Sequence, residues 1–131
     1  MFSTIEKNLK PTPLQAPFHD AEHTRYIAKT IMSQMRKPNV SIYFSWGAHS
    51  FTCAQSAKCE KYSYNAPILR FKVNGRKFKG YVHVIYNASD YYDIEFVSTH
   101  GNLKHRIEDV DCFTLQEKID DYIEKVAEYA F

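Results

Sequence analysis

Leu69-Arg70-Phe71-Lys72-Val73-Asn74-Gly75-Arg76-Lys77-Phe78-Lys79-Gly80-Tyr81-Val82-His83-Val84 places apolar residues at alternate positions on both sides of an Asn-Gly pair. A period of two turns one face of a strand to the core and the other to water. Asn-Gly supplies the two residues that tolerate positive φ in a type I′ hairpin turn. The pattern predicts Val73 opposite Arg76, Phe71 opposite Phe78 and Leu69 opposite Gly80, with Phe78, Val82 and Val84 on the same buried face. Gly80 relieves crowding there or marks a bulge. Arg70, Lys72, Lys77, Lys79, Tyr81 and His83 fall on the other face, expected to meet solvent.

Downstream, a polar turn at Asn87 to Asp90 precedes the alternating Tyr92, Ile94, Phe96 and Ser98. His100-Gly101 is then expected to close another hairpin through Leu103, His105 and Ile107, making a meander. Upstream, Val40, Ile42, Phe44 and Trp46 alternate with Ser41, Tyr43 and Ser45 and predict a strand. Residues 47–66 show no clear period and read as an irregular excursion, with brief pairing at Ser50 to Cys53.

Helices bracket these strands. Asp20 is read as the N-cap of a helix over 20–36 carrying Tyr26, Ile27, Ile31 and Met35, with Pro38 preventing continuation. Thr114 and Glu117 have capping-box spacing ahead of Leu115, Ile119, Ile123, Val126 and Ala127, which predicts a helix over 115–130. Pro11, Pro13 and Pro17 make residues 1–19 an extended arm before a single domain at 20–131. The expected fold is α+β: an antiparallel sheet of about five strands covered on one face by an N-terminal and a C-terminal helix.

A chain of 131 residues with 44% hydrophobic and 24% charged residues matches an ordinary globular domain, which excludes disordered, collagen-like and coiled-coil classes. No internal repeat or low-complexity segment is visible, and no apolar run approaches the roughly 20 residues that cross a bilayer. Charges interrupt Met1 to Lys10 where a signal peptide would be apolar. Cys53, Cys59 and Cys112 are too few for a disulfide framework and irregularly spaced for zinc. A cytoplasmic protein without membrane contact or cofactor is expected.

The net charge is only +2, but it is unevenly spread. Lys58 to Lys79 holds seven cations against Glu60, a net +6, whereas Ile107 to Phe131 holds eight carboxylates against Lys118 and Lys125, a net −6. Like-charge pairs at Glu117/Asp121 and Glu124/Glu128 destabilise an isolated helix slightly and favour an external partner. The leading reading is a non-enzymatic accessory domain that binds a protein partner or self-associates through charged surfaces. The alternative is single-stranded nucleic acid on the basic hairpin face, where lysines neutralise phosphates and a ring stacks on a base. Against it, an open sheet face must be polar somewhere, lysines blunt strand edges, and Glu95 is placed to pair with His83.

Catalytic motifs are sparse. His19-Asp20-Ala21-Glu22-His23 fits H-x-x-E-H and brings a metal-dependent hydrolase into view, but it straddles a predicted helix start and spacing selects no third ligand. Cys53 with His49 or His83 is an unspecific nucleophile-base pairing, and Asp90 and Asp93 suit a turn and a solvated strand face. Trp46 suits core closure, and Tyr81, Tyr86, Tyr91 and Tyr92 suit sheet packing with wet hydroxyls.

Trp46-Gly47, Arg70-Phe71-Lys72-Val73-Asn74-Gly75 with Lys79-Gly80, and Asp90 to Ile94 before an acidic C-terminal helix resemble short uncharacterised bacterial proteins of the mobile-element type. The likeness spans roughly residues 40–127. It implies a bacterial, cytoplasmic setting and transfers no activity or site residue.

Overall fold

The computed structural model describes residues 10–16 and 20–125. Within these residues six strands form one antiparallel sheet in chain order: β1 Leu14–Gln15, β2 His49–Ser56, β3 Pro67–Asn74, β4 Lys79–Tyr86, β5 Tyr92–Val97 and β6 Leu103–Val110. Among the described residues three helices accompany it: α1 Ala21–Met35, α2 Val40–Ser45 and α3 Leu115–Ile123. The α+β class and the antiparallel meander are as expected, with six strands where about five were anticipated. The sheet curls enough that Thr12, just before β1, reaches Glu95 on β5.

Alternation along the strands separates two sides. Leu69, Phe71, Val73, Val82, Val84, Ile94 and Phe96 meet Ile31 and Met35 of α1 and Leu115, Ile119 and Ile123 of α3 in the main core. Burying each large aliphatic or aromatic side chain contributes roughly 1.5–3 kcal/mol, which holds the helices on this side. On the other side, Ile68 and Ile85 are covered by Tyr62 and Ala66 of the β2–β3 loop, with Leu14 and Cys59 against them.

Both expected helices form, with different caps. Asp20 Oδ1 accepts from the His23 N–H at 3.1 Å, and Thr24, Ala28, Ile31 and Met35 make the buried stripe, leaving Tyr26 exposed. Before α3 the capping group is Asp111, whose Oδ1 accepts from the N–H groups of Phe113 and Thr114 and from the Thr114 hydroxyl. The Thr114 hydroxyl is spent on Asp111 and makes no bond into the helix, which corrects the capping box. Val126 and Ala127 lie outside the described residues.

Residues 40–46 are α2 and its cap, not a strand. Asn39 Oδ1 accepts from the Ser41 N–H at 2.9 Å and starts a helical turn, while Gly47, at φ +60, follows the Trp46 cap. Burial confirms the helical period: Tyr43 and Trp46, three apart, are buried, whereas Val40 and Phe44 are 46% and 69% exposed. The indole N–H of Trp46 donates to Asp120 Oδ1 on α3 at 2.9 Å.

The anticipated excursion at 47–66 begins with β2, a full strand paired to β3 with Thr52 opposite Arg70 and Cys53 opposite Leu69. Ser50 at φ +57 and a register shift between His49 and Thr52 interrupt its alternation.

The β3–β4 register also differs. Phe71 faces Val82 and Val73 faces Gly80, so the partner of Phe71 lies four residues beyond the expected Phe78. An even displacement preserves the faces, and Phe78 still packs against the main core. Neither Asn74 nor Gly75 has positive φ, so the tight Asn-Gly turn is absent. A wider loop closes instead, with Gly75 N–H donating to Phe78 O, because it is seated on the end of α3: Lys77 and Phe78 N–H both donate to Ile123 O, at 2.8 and 3.3 Å. A Cβ on Gly75 would lie 2.5 Å from that same oxygen. Among the described residues no helix is long and apolar enough to cross a membrane.

Candidate functional site

The side of the sheet away from the helices holds nearly all of the buried ionic chemistry. Cross-strand pairing aligns Thr52, Arg70, His83, Glu95 and Arg106 in one row over β2 to β6. Glu95, fourth in the row between His83 and Arg106, is fully buried. Its carboxylate accepts from Thr12 N–H at 3.0 and 3.2 Å, Thr12 hydroxyl at 2.7 Å, His83 Nδ1 at 3.1 Å and the Arg106 guanidinium. A carboxylate only accepts, so His83 carries its proton on Nδ1. Burial pushes the Glu95 pKa up, but the bonds from His83, Thr12 and Arg106 outweigh it and hold the pKa at about 2.

Two residues along β5, Asp93 forms a second buried hub. Asn87 Nδ2 donates to it at 2.9 Å and Asp109 N–H at 3.0 Å, the Tyr62 hydroxyl donates as well, and Lys61 Nζ lies 3.4 Å away. Lys61 also pairs with Glu108 at 2.6 Å. Burial together with the Asp93 bond raises the Tyr62 phenol above its ordinary pKa. Asp93 was expected on a solvated face; it is fully buried because the β2–β3 loop folds over it. Donors occupy both oxygens of each hub, leaving neither carboxylate a vacant lone pair with which to take a proton from a substrate.

At the other end of the row lies a cationic group. The Arg70 guanidinium carbon sits 4.0 Å from the Tyr81 ring centroid and Lys72 Nζ lies 5.2 Å from it, with Lys72 and Tyr81 paired across the ladder. Lys79 is exposed opposite Asn74. Arg70 Nε is buried with no hydrogen-bond partner. The six residues singled out from sequence therefore divide. Arg70, Lys72 and Tyr81 come together, Lys79 follows two residues from Tyr81 on β4, and His83 is buried on Glu95 instead of meeting solvent. Lys77 leaves the face, its Nζ donating to the carbonyls of Asp121 in the last turn of α3 and of Lys125 just beyond it.

The remaining motifs do not assemble. His19 lies outside the described residues, Asp20 caps α1, and Glu22 and His23 are exposed. Among the described residues no three His, Cys, Asp or Glu side chains group as metal ligands. Thr12, Arg106, Tyr62 and Lys61 were missed, since their partners lie far along the chain or were read as solvated. Thr12 and Glu95, for instance, are 83 positions apart. No family model matches the chain, and neither a curated protein nor a solved structure gives a significant match.

Proposed function

We propose that the protein is a non-catalytic binding domain of the bacterial cytoplasm that takes single-stranded nucleic acid on the Arg70, Lys72, Lys79 and Tyr81 end of the sheet. The observation that carries this reading is a pair of cations, Arg70 and Lys72, on the Tyr81 ring, with the exposed Lys79 two residues away along β4, none of the three with a carboxylate partner among the described residues. Their positive charge is not cancelled locally, and a planar guanidinium stacked on a ring extends the platform on which an unpaired base stacks. Saturation of Asp93 and Glu95 supports a binding role over an acid-base one.

Charge complementarity with the acidic C-terminal region weakens as a partner-binding device, because its carboxylates have work inside the molecule. Asp120 receives Trp46, Glu124 receives the Arg76 N–H, and Asp121 pairs with Lys125. A protein partner or a second copy is favoured by different residues: the exposed Val40 and Phe44 of α2 and Phe113, which is 87% exposed. Aromatic side chains of this kind are enriched in the centres of protein interfaces.

Fluorescence anisotropy with a labelled single-stranded oligonucleotide, read over a salt series, separates the two. Three phosphate contacts give a slope of log K against log salt of about −2, and Lys72→Glu with Lys79→Glu brings it to about −0.7 with at least a tenfold loss of affinity at low salt. Absence of binding at low salt, or an unchanged slope in the double variant, overturns the nucleic-acid reading. A sedimentation mass that falls to the monomer's with Phe44→Ser would then establish self-association.

A further inference from the structure

A cleft of about 430 Å³ opens beside Asp93, between the β2–β3 loop, the β4–β5 turn, Asp109 of β6 and His23 of α1. That volume falls within the range of small-molecule sites. Its walls come from sequence-distant segments that the Asp93 carboxylate ties together: Tyr62 and Lys61 from one loop, Asn87 from the turn, and the Asp109 backbone from β6. Asn87 Nδ2 reaches the Asp109 carboxylate at 3.0 Å as well, and Asn87 Oδ1 accepts from Ser89 and Tyr91 N–H. The cleft is thus braced before any ligand arrives, which lowers the ordering cost of binding.

The lining selects against most ligand classes. Lys61, the one ammonium of the lining, is neutralised by Glu108 and Asp93, and the Asp109 carboxylate repels an anion. A purely apolar ligand would desolvate Ser63, Asn65, Ser89 and Asp109 without replacing their bonds to water. What remains is short hydroxyl and amide groups able to donate and accept, beside the partly exposed ring of Tyr86, whose phenol is already engaged by Asp90, while Tyr62 is held buried on Ile68 and Ile85. Vicinal hydroxyls satisfy such mixed donors and acceptors, and the weakly positive C–H face of a pyranose suits the negative face of a ring.

We propose that this cleft binds a neutral polyhydroxylated ligand of monosaccharide size, either free or as the end of a longer glycan. The site lies apart from the cationic group at Tyr81 and stands whether or not that group binds nucleic acid. The experiment is an amide NMR titration of the full chain with glucose, galactose, mannose and N-acetylglucosamine, with inorganic phosphate and tetramethylammonium as charged probes. At least one sugar is expected to move the Ser63, Asn65, Ser89 and Asp109 resonances saturably at millimolar concentration. Ser89→Trp, at an exposed position, is expected to weaken that binding at least tenfold while leaving resonances of the main core in place. The proposal is overturned if no sugar gives a saturable shift at these residues, if phosphate or tetramethylammonium occupies them in preference, or if Ser89→Trp binds as the parent does.

Discussion

Glu95 illustrates how one side chain organises a surface. Its two oxygens receive the arm, the neighbouring strand β4 through His83 and the edge strand β6 through Arg106, so one charge joins three segments. Its pKa lies near 2 in the folded protein against about 4.5 when unperturbed. The folded state is therefore favoured above pH 4.5, and this contribution, on the order of 3 kcal/mol, drains away as pH falls from about 4.5 toward 2. Urea midpoints measured across that window should fall steeply for the parent and more gently for Glu95→Gln. At neutral pH the Glu95→Gln variant should be destabilised by about 3 kcal/mol, because Arg106 loses its counter-charge in a half-buried setting. Alternation along β4 and β5 was enough to pair Glu95 with His83 from sequence. Nothing in sequence pointed to Thr12, because an isolated threonine between two prolines looks like any arm residue until the sheet curls beneath it.

Among the secondary-structure elements, the β3–β4 hairpin and α2 show where pattern reading succeeds and where it stops. Faces were legible because alternation is a local property of the strand, and an even register shift leaves it untouched. The turn was not legible, because its shape answers to α3, almost fifty residues later, whose last carbonyl it caps. Gly75 is there for proximity to Ile123, not for a left-handed φ. Gly75→Ala is accordingly expected to cost about 1–3 kcal/mol by forcing the loop off the helix end, read as a lowered Tm with weakened hydrogen-exchange protection at Lys77 and Phe78. A tight Asn-Gly turn would tolerate that change differently, with no effect on α3. In α2, six residues offered alternating side chains that fit either period, and the Asn39 cap together with the Trp46 bond to Asp120 decided for the helix. Strand β2 was anticipated only as brief pairing at Ser50 to Cys53 for the opposite reason: Ser50, Thr52 and Gln55 leave little apolar contrast for any period to register.

Taken whole, the molecule is a curled meander with helices on one side and a partly roofed ionic surface on the other. The α+β class, the antiparallel order and the two covering helices were readable because each rests on runs of local periodicity. The roof was not, because it consists of the arm at 10–16 and the loop at 57–66, segments without periodicity that are placed by the carboxylates below them. The roof also narrows the exposed cationic area to the Tyr81 end, which is why the salt slope expected for nucleic acid is small. Deleting residues 1–16 should remove the Thr12 bonds and the β1 pairing together, lowering stability by about 3 kcal/mol or more. Thermal melts of the shortened and full chains at equal concentration would show it, and equal melting temperatures would refute the structural role of the arm.

The Thr12–Glu95 bond has a kinetic corollary during biosynthesis. A ribosome releases Thr12 long before its acceptor, 83 residues later, has been made. Until β5 joins β4 there is no carboxylate on which the arm can settle, and closing so wide a loop is slow compared with forming adjacent hairpins. Nascent chains therefore carry the arm loose through most of translation, and its docking is a closing event of maturation.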